Sequence, residues 1–145
     1  MIEAVLLDSG PLGRLVHADY KRNPEIRGWL AQMLDGGRVV YLPEIADFEV
    51  RRNLILENLR GSLANLDDLA GLVTYLPIVT ADMRLAAELW ARSRKAGRSV
   101  GDPRELNADV ILAAQAIRAR AVIATENLGH LGQFAPARFW QQIGE

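Results

Sequence analysis

The chain has 145 residues, half of them hydrophobic and 24% charged, a globular composition with enough apolar material for a core. It contains no cysteine, which excludes disulfide scaffolds, thiolate zinc sites and thiol catalysis; its longest apolar run, Val110–Ala114, is far too short to span a bilayer. Seventeen basic side chains nearly balance eighteen acidic ones, so net charge neither favours nor disfavours a nucleic-acid partner.

The opening MIEAVLLDSG carries no basic leader and reaches an acid at Asp8, so the expectation is a cytoplasmic protein with no membrane partner. One domain over 1–145 is expected from the length. Ala4–Leu7 reads as the first buried strand. Pro24–Leu34 follows with helical spacing, carrying Ile26, Leu30, Met33 and Leu34 on one side, and Asp35-Gly36-Gly37 reads as its exit. Val39–Leu42 is the second strand. Pro43 suits the first turn of the next helix, whose apolar stripe is predicted as Ile45, Phe48, Arg52, Ile55 and Leu59.

Val73–Leu76 is the third strand, and Thr80 is placed to cap a helix burying Leu85, Ala86, Leu89 and Trp90. Gly97–Leu106 reads as a mobile loop, after which Asn107 is placed to cap a helix carrying Val110, Ile111, Ala114 and Ile117. Ala121–Ala124 is the fourth strand, and Phe134, Phe139 and Trp140 beyond it are read as core. Strands separated by helices require crossover connections. The fold class is therefore α/β: a three-layer α/β/α sandwich with a mainly parallel central sheet.

Ligands of open parallel sheets bind beyond the carboxyl ends of the strands. That rule selects Asp8, directly after the first strand, and Thr125-Glu126-Asn127, directly after the fourth. Helix starts on the same rim add Glu44; Asp109 lies near the start of its helix and Glu49 about two turns into another. Carboxylates without His or Cys make a hard-oxygen site that favours magnesium or manganese over zinc. Each acid also has a plainer role open to it. Asp8 fits a turn or cap, Glu44 and Asp109 fit dipole complements, and Glu49 fits a snorkelling acid or one partnered by Arg52 in an ion pair or by Asn53 in a hydrogen bond.

Other constellations are absent. Ser9-Gly10-Pro11-Leu12-Gly13 matches neither a dinucleotide fingerprint nor a P-loop, and there is no G-x-S-x-G. A phosphotransfer role for Asp8 lacks the second Asp two residues on, where Gly10 stands. His17 and His130 are read as structural or solvent-facing. Arg51-Arg52, beside Glu49, suits phosphate contacts flanking an acidic centre.

Taken in order, AVLLDSGPLG at 4–13, LPEIADFEVRRNL at 42–54, LAAELWARSRKAG at 85–97 and NADVILAAQAIRARAVIATENLGHL at 107–131 resemble the PIN domain superfamily. Within it they resemble the VapC-type ribonucleases of toxin–antitoxin pairs. The resemblance implies an acidic centre of Asp8, Glu49 and Asp109 as metal ligands, with Thr125 and Asn127 in support. Glu44, Asp47 and Asp102 fit the pattern less well. Asn127 stands where many members carry an Asp, and Glu126 is the neighbouring carboxylate able to substitute. It further implies Mg2+ or Mn2+ as cofactor, RNA as substrate, a 5′-phosphate and 3′-hydroxyl as products, a small cognate antitoxin as partner, and a homodimer. Substrate discrimination is assigned to Gly97–Leu106. The alternative reading is a PIN-fold module that binds RNA or protein without cutting.

Overall fold

A computed structural model describes residues 2–19, 23–97, 103–129 and 131–144, the side chains of 103–106 excepted. Among these residues five parallel strands form the sheet: β1 (Ala4–Leu7), β2 (Val40–Pro43), β3 (Thr74–Leu76), β4 (Ala121–Thr125) and β5 (Ala137–Phe139), in the order β3-β2-β1-β4-β5. The central pair is β1 and β4, aligned from Ala4 opposite Ala121 to Leu7 opposite Ala124. The chain steps outward from β1 to β3, then returns to lay β4 on the other side of β1. The carboxyl ends of β1 and β4 therefore flank the point where the winding direction reverses, and there a parallel sheet opens a crevice.

Among the described residues six α-helices cover the two faces: α1 (Ser9–Val16), α2 (Pro24–Asp35), α3 (Glu44–Leu56), α4 (Arg60–Leu72), α5 (Thr80–Lys95) and α6 (Pro103–Ala119). Alternation along β1 separates the cores. Val5 and Leu7 pack with Leu12, Ile26, Ala46 and Leu66 from the first four helices, whereas Leu6 packs with Ala86, Leu89, Val110 and Ala113 from α5 and α6. The three-layer sandwich expected from the sequence is present. Among the described residues no helix is long and apolar enough to cross a membrane.

Several local expectations are corrected. Helices α1 and α4 and strand β5 go beyond the elements predicted; Gly10, Pro11 and Gly13 obscured α1, although Pro11 lies in its first turn, where no amide partner is needed. Pro43 ends β2 instead of opening α3. The predicted stripe of α3 turns mostly outward: Phe48, Ile55 and Leu59 are exposed, and the buried side is Ile45, Ala46, Asp47 and Val50. Asp47 tolerates burial because it accepts hydrogen bonds from Tyr75 Oη (2.6 Å) and Arg51 Nε (2.9 Å). Burial and the Asp47 carboxylate together push the Tyr75 phenol well above its ordinary range.

Thr80 is the first residue of α5 and Val79 its cap, the Val79 N–H donating to the Asp82 carboxylate (3.0 Å). Trp90 and Ile117 are exposed rather than core. Helix α6 begins at Pro103, so Asn107 lies inside it; of the predicted loop, residues 98–102 lie outside the described residues and 103–106 are helical. Gln115, fully buried on α6, donates to the Leu76 carbonyl (2.8 Å) and accepts from the Ile45 N–H (3.4 Å), tying the end of β3 to the start of α3.

Candidate metal and active site

Asp8 is placed by the sheet and fixed by the helix that follows it. It caps α1, its Oδ1 accepting the Ser9 N–H at 2.7 Å. Its other oxygen, Oδ2, accepts the Thr125 hydroxyl at 2.8 Å, from the last residue of β4. The capping role open to Asp8 is thus real and is combined with exposure to the crevice. Thr125 is itself buried. Its Oγ1 accepts the Asn127 N–H (3.1 Å) and lies 3.1 Å from the Asn127 carbonyl, but its single proton goes to the shorter, charged carboxylate contact. This bond spans β1 and β4 and holds one rotamer of Asp8.

A cleft of about 390 Å³ opens at this point, lined by Asp8, Glu49, Asp109, Glu126 and Asn127 with Ser9, Gly10, Gly129 and Leu131. Glu49 reaches it from the middle of α3, and Asp109 from nearly two turns inside α6. At that depth the helix-end dipole has faded, so dipole complementation does not account for Asp109. Glu44, in contrast, has a structural role: its carboxylate accepts the Ile78 N–H at 2.8 Å. Asp47 is committed to Tyr75 and Arg51. Asp102 and His130 lie outside the described residues. Gly129 turns the chain beyond β4 at φ +38°, and a Cβ there would stand 3.3 Å from Asn127 Oδ1.

Burial raises the Asp8 carboxyl above its ordinary 3.8; the Thr125 and Ser9 hydrogen bonds pull it down, and the nearby Glu126 charge pushes it up. An ionised Asp8 in this crevice therefore lacks compensation that a cation would supply. All the donors are hard oxygens, the chemistry that magnesium and manganese select. Among the described residues no three Asp, Glu, His or Cys side chains are drawn into a group that could hold an ion by themselves. Magnesium keeps several waters and takes only one or two carboxylates directly, so carboxylates spread around one cleft fit it better than a closed cage would.

Glu126 faces both this cleft and a neighbouring groove. It forms an ion pair with Arg14 of α1 and accepts the Trp140 indole N–H at 3.2 Å. The sequence offered Glu126 as a substitute ligand; in the structure it is already partnered. Arg51 bridges Asp47 and Asp67, and Arg52 lies over the Phe48 ring at 5.2 Å; neither is among the described residues lining the cleft, so the structure gives no support to the phosphate-contact expectation for this pair. Arg14 and Trp140 were missed as rim residues, because only the pairing of α1 with the C-terminal segment brings them to Glu126.

Solved structures with the same fold include VapBC2 from Rickettsia felis bound to a DNA fragment from its promoter (TM-score 0.78, 15% identity, covering 97% of this chain and 99% of that one). FitAcB from Neisseria gonorrhoeae (TM-score 0.73, 20% identity, 96% and 99%) and DNA-bound VapBC from Salmonella typhimurium (TM-score 0.69, 21% identity, 97% and 99%) also superpose. At these identities the likeness is one of fold. No curated protein matches the chain in sequence. The PIN domain family model matches residues 5–131, spanning Asp8, Glu49, Asp109, Thr125 and Asn127, and the protein belongs to the PIN domain family.

Proposed function

We propose that the protein is a divalent-metal-dependent endoribonuclease, the toxin of a toxin–antitoxin pair. The observation that carries the nuclease reading is the convergence of Asp8, Glu49 and Asp109, from β1, α3 and α6, on one cleft at the sheet's reversal point. Asp8, Glu49 and Asp109 would hold Mg2+ or Mn2+, partly through water. When bound, such an ion supplies Lewis acidity, activating water near neutral pH and offsetting charge on the scissile phosphate.

The chain's own residues do the positioning. Thr125 and the Ser9 amide orient the two oxygens of Asp8, and Asn127 offers an uncharged amide at the cleft edge. In-line displacement at phosphorus would leave a 5′-phosphate and a 3′-hydroxyl. The toxin role rests on the resemblance to VapC-type sequences and on solved neighbours that are VapBC and FitAcB assemblies. A small cognate antitoxin is the corresponding partner, and a homodimer the corresponding assembly.

The test is cleavage of a structured RNA pool with added manganese, comparing wild type with Asp8→Asn and Asp109→Asn. Metal-dependent cutting lost in both variants is the expected result. Cutting that survives EDTA, or survives both substitutions, overturns the mechanism. The neutral Asn127 at the cleft edge favours a second reading, a non-cleaving RNA- or protein-binding module. Calorimetric titration with manganese separates the two, because a vestigial site shows no binding that depends on these acids.

A further inference from the structure

A polyanion approaching the cleft meets acids: Asp8, Glu49, Asp109 and Glu126 are among its lining residues, and none of the described lining residues is basic. The adjoining groove, about 590 Å³, shares Glu126 with the cleft and contributes Arg14, the single basic side chain among the described residues lining either. Arg14 is half exposed. Its Nε faces Glu126 and its Nη1 lies 3.4 Å from Asn23 Oδ1, so two contacts hold the guanidinium plane while its outer edge stays toward solvent. Further along, the groove offers the partly buried Phe139 ring and the exposed amides of Gln141 and Gln142. An arginine, an aromatic ring and amides together match what a single strand presents: phosphate, base face and base edge.

We propose that Arg14 is a substrate-phosphate contact beside the acidic cleft and that Glu126 holds its guanidinium while competing with phosphate for it, so that single-stranded RNA runs from the cleft past Glu126 into the groove beside Phe139 and Gln142. The proposal rests on the ribonuclease reading and deepens it. Glu126 plays two opposed parts here. It aims the guanidinium, yet it competes with phosphate for it, and its own charge repels the strand. Glu25 on the groove wall adds a further acid, so Arg14 has to offset more than one negative charge.

The experiment measures binding of a short fluorescein-labelled single-stranded RNA to the full-length protein in an Asp109→Asn background, which suppresses cutting, across a range of potassium chloride. Arg14→Gln is expected to weaken binding roughly tenfold, the size of one charge-assisted hydrogen bond. It should also reduce the slope of log affinity against log salt by about 0.7, one phosphate contact on a single strand. Arg14→Lys keeps the charge, so it retains the slope while losing affinity with the fork, and it serves as the readout if Arg14→Gln fails to fold. Glu126→Gln, whose amide oxygen still accepts the Trp140 N–H, is expected to tighten binding several-fold; a purely structural ion pair predicts no gain.

An unchanged salt slope in Arg14→Gln, in a protein that still binds and, with Asp109 restored, still cuts RNA, overturns the proposal and leaves the ribonuclease reading standing. It would then point to a protein ligand for the groove. RNA binding absent at every salt concentration, with Asp109 present or replaced, removes both.

Discussion

Replacing Asp8 with Asn in metal-free protein is expected to raise the melting temperature. The amide keeps the side chain's shape and can satisfy every contact: its oxygen accepts the Ser9 N–H, and its NH2 donates to Thr125 Oγ1, whose proton turns to the Asn127 carbonyl already 3.1 Å away. What the substitution removes is a buried charge beside Glu126. Relief of this kind typically contributes about 1 kcal/mol, a rise of roughly 4 °C in a domain of this size. Because the folded-state pKa of Asp8 lies above its ordinary 3.8, the folded protein holds that proton more tightly than the unfolded chain does. Wild type therefore loses stability as pH rises from below 3.8 through the folded pKa. The advantage of the variant opens across that window, persists at neutral pH and vanishes in stronger acid.

Manganese reverses the ranking. At a hundred times the dissociation constant, binding to the folded state alone contributes about 2.7 kcal/mol to wild type, and the variant should forfeit most of it. Differential scanning fluorimetry in EDTA and in manganese, at several pH values, reads both effects. A variant that melts below wild type in EDTA at neutral pH would refute the account of Asp8, as would one that keeps the full manganese-induced rise.

Thr125→Val, which preserves side-chain shape, is expected to weaken manganese binding about tenfold by freeing the Asp8 carboxylate to rotate; unchanged affinity by calorimetry would show that the Thr125 bond does not orient it. Asp82→Ala should cost about 3 kcal/mol, since the buried carboxylate receives Arg118 through Nε and Nη2 and also the Val79 N–H, while the manganese-induced shift stays intact. Chemical denaturation showing a loss well under 1 kcal/mol would contradict that role.

The sequence alone determined the fold class and most of the strands, because a strand buried on both faces has to be a short apolar run, and Ala4–Leu7 and Ala121–Ala124 can be little else. It also placed Asp8 and Thr125, since the ends of such strands are where a parallel sheet opens. Strand β5 was hidden: its three residues are Ala, Arg and Phe, and only pairing with β4 makes them a strand.

The outward turn of Phe48 and Ile55 was hidden for a different reason. Helix α3 leaves the carboxyl end of β2, with Ile45 in one core and Ala46 and Val50 in the other, so packing rather than its own periodicity chose the buried face. Periodicity reports which faces exist; it does not say which one meets the sheet. The same limit separates the acids. Glu44, Asp47, Glu49 and Asp109 are equivalent as letters, and only the tertiary structure commits the first two to Ile78 and Tyr75 while setting the other two around the cleft with Asp8. Which carboxylates share a site depends on distances between elements far apart in the chain, and those distances exist only once the sheet has wound in both directions from β1.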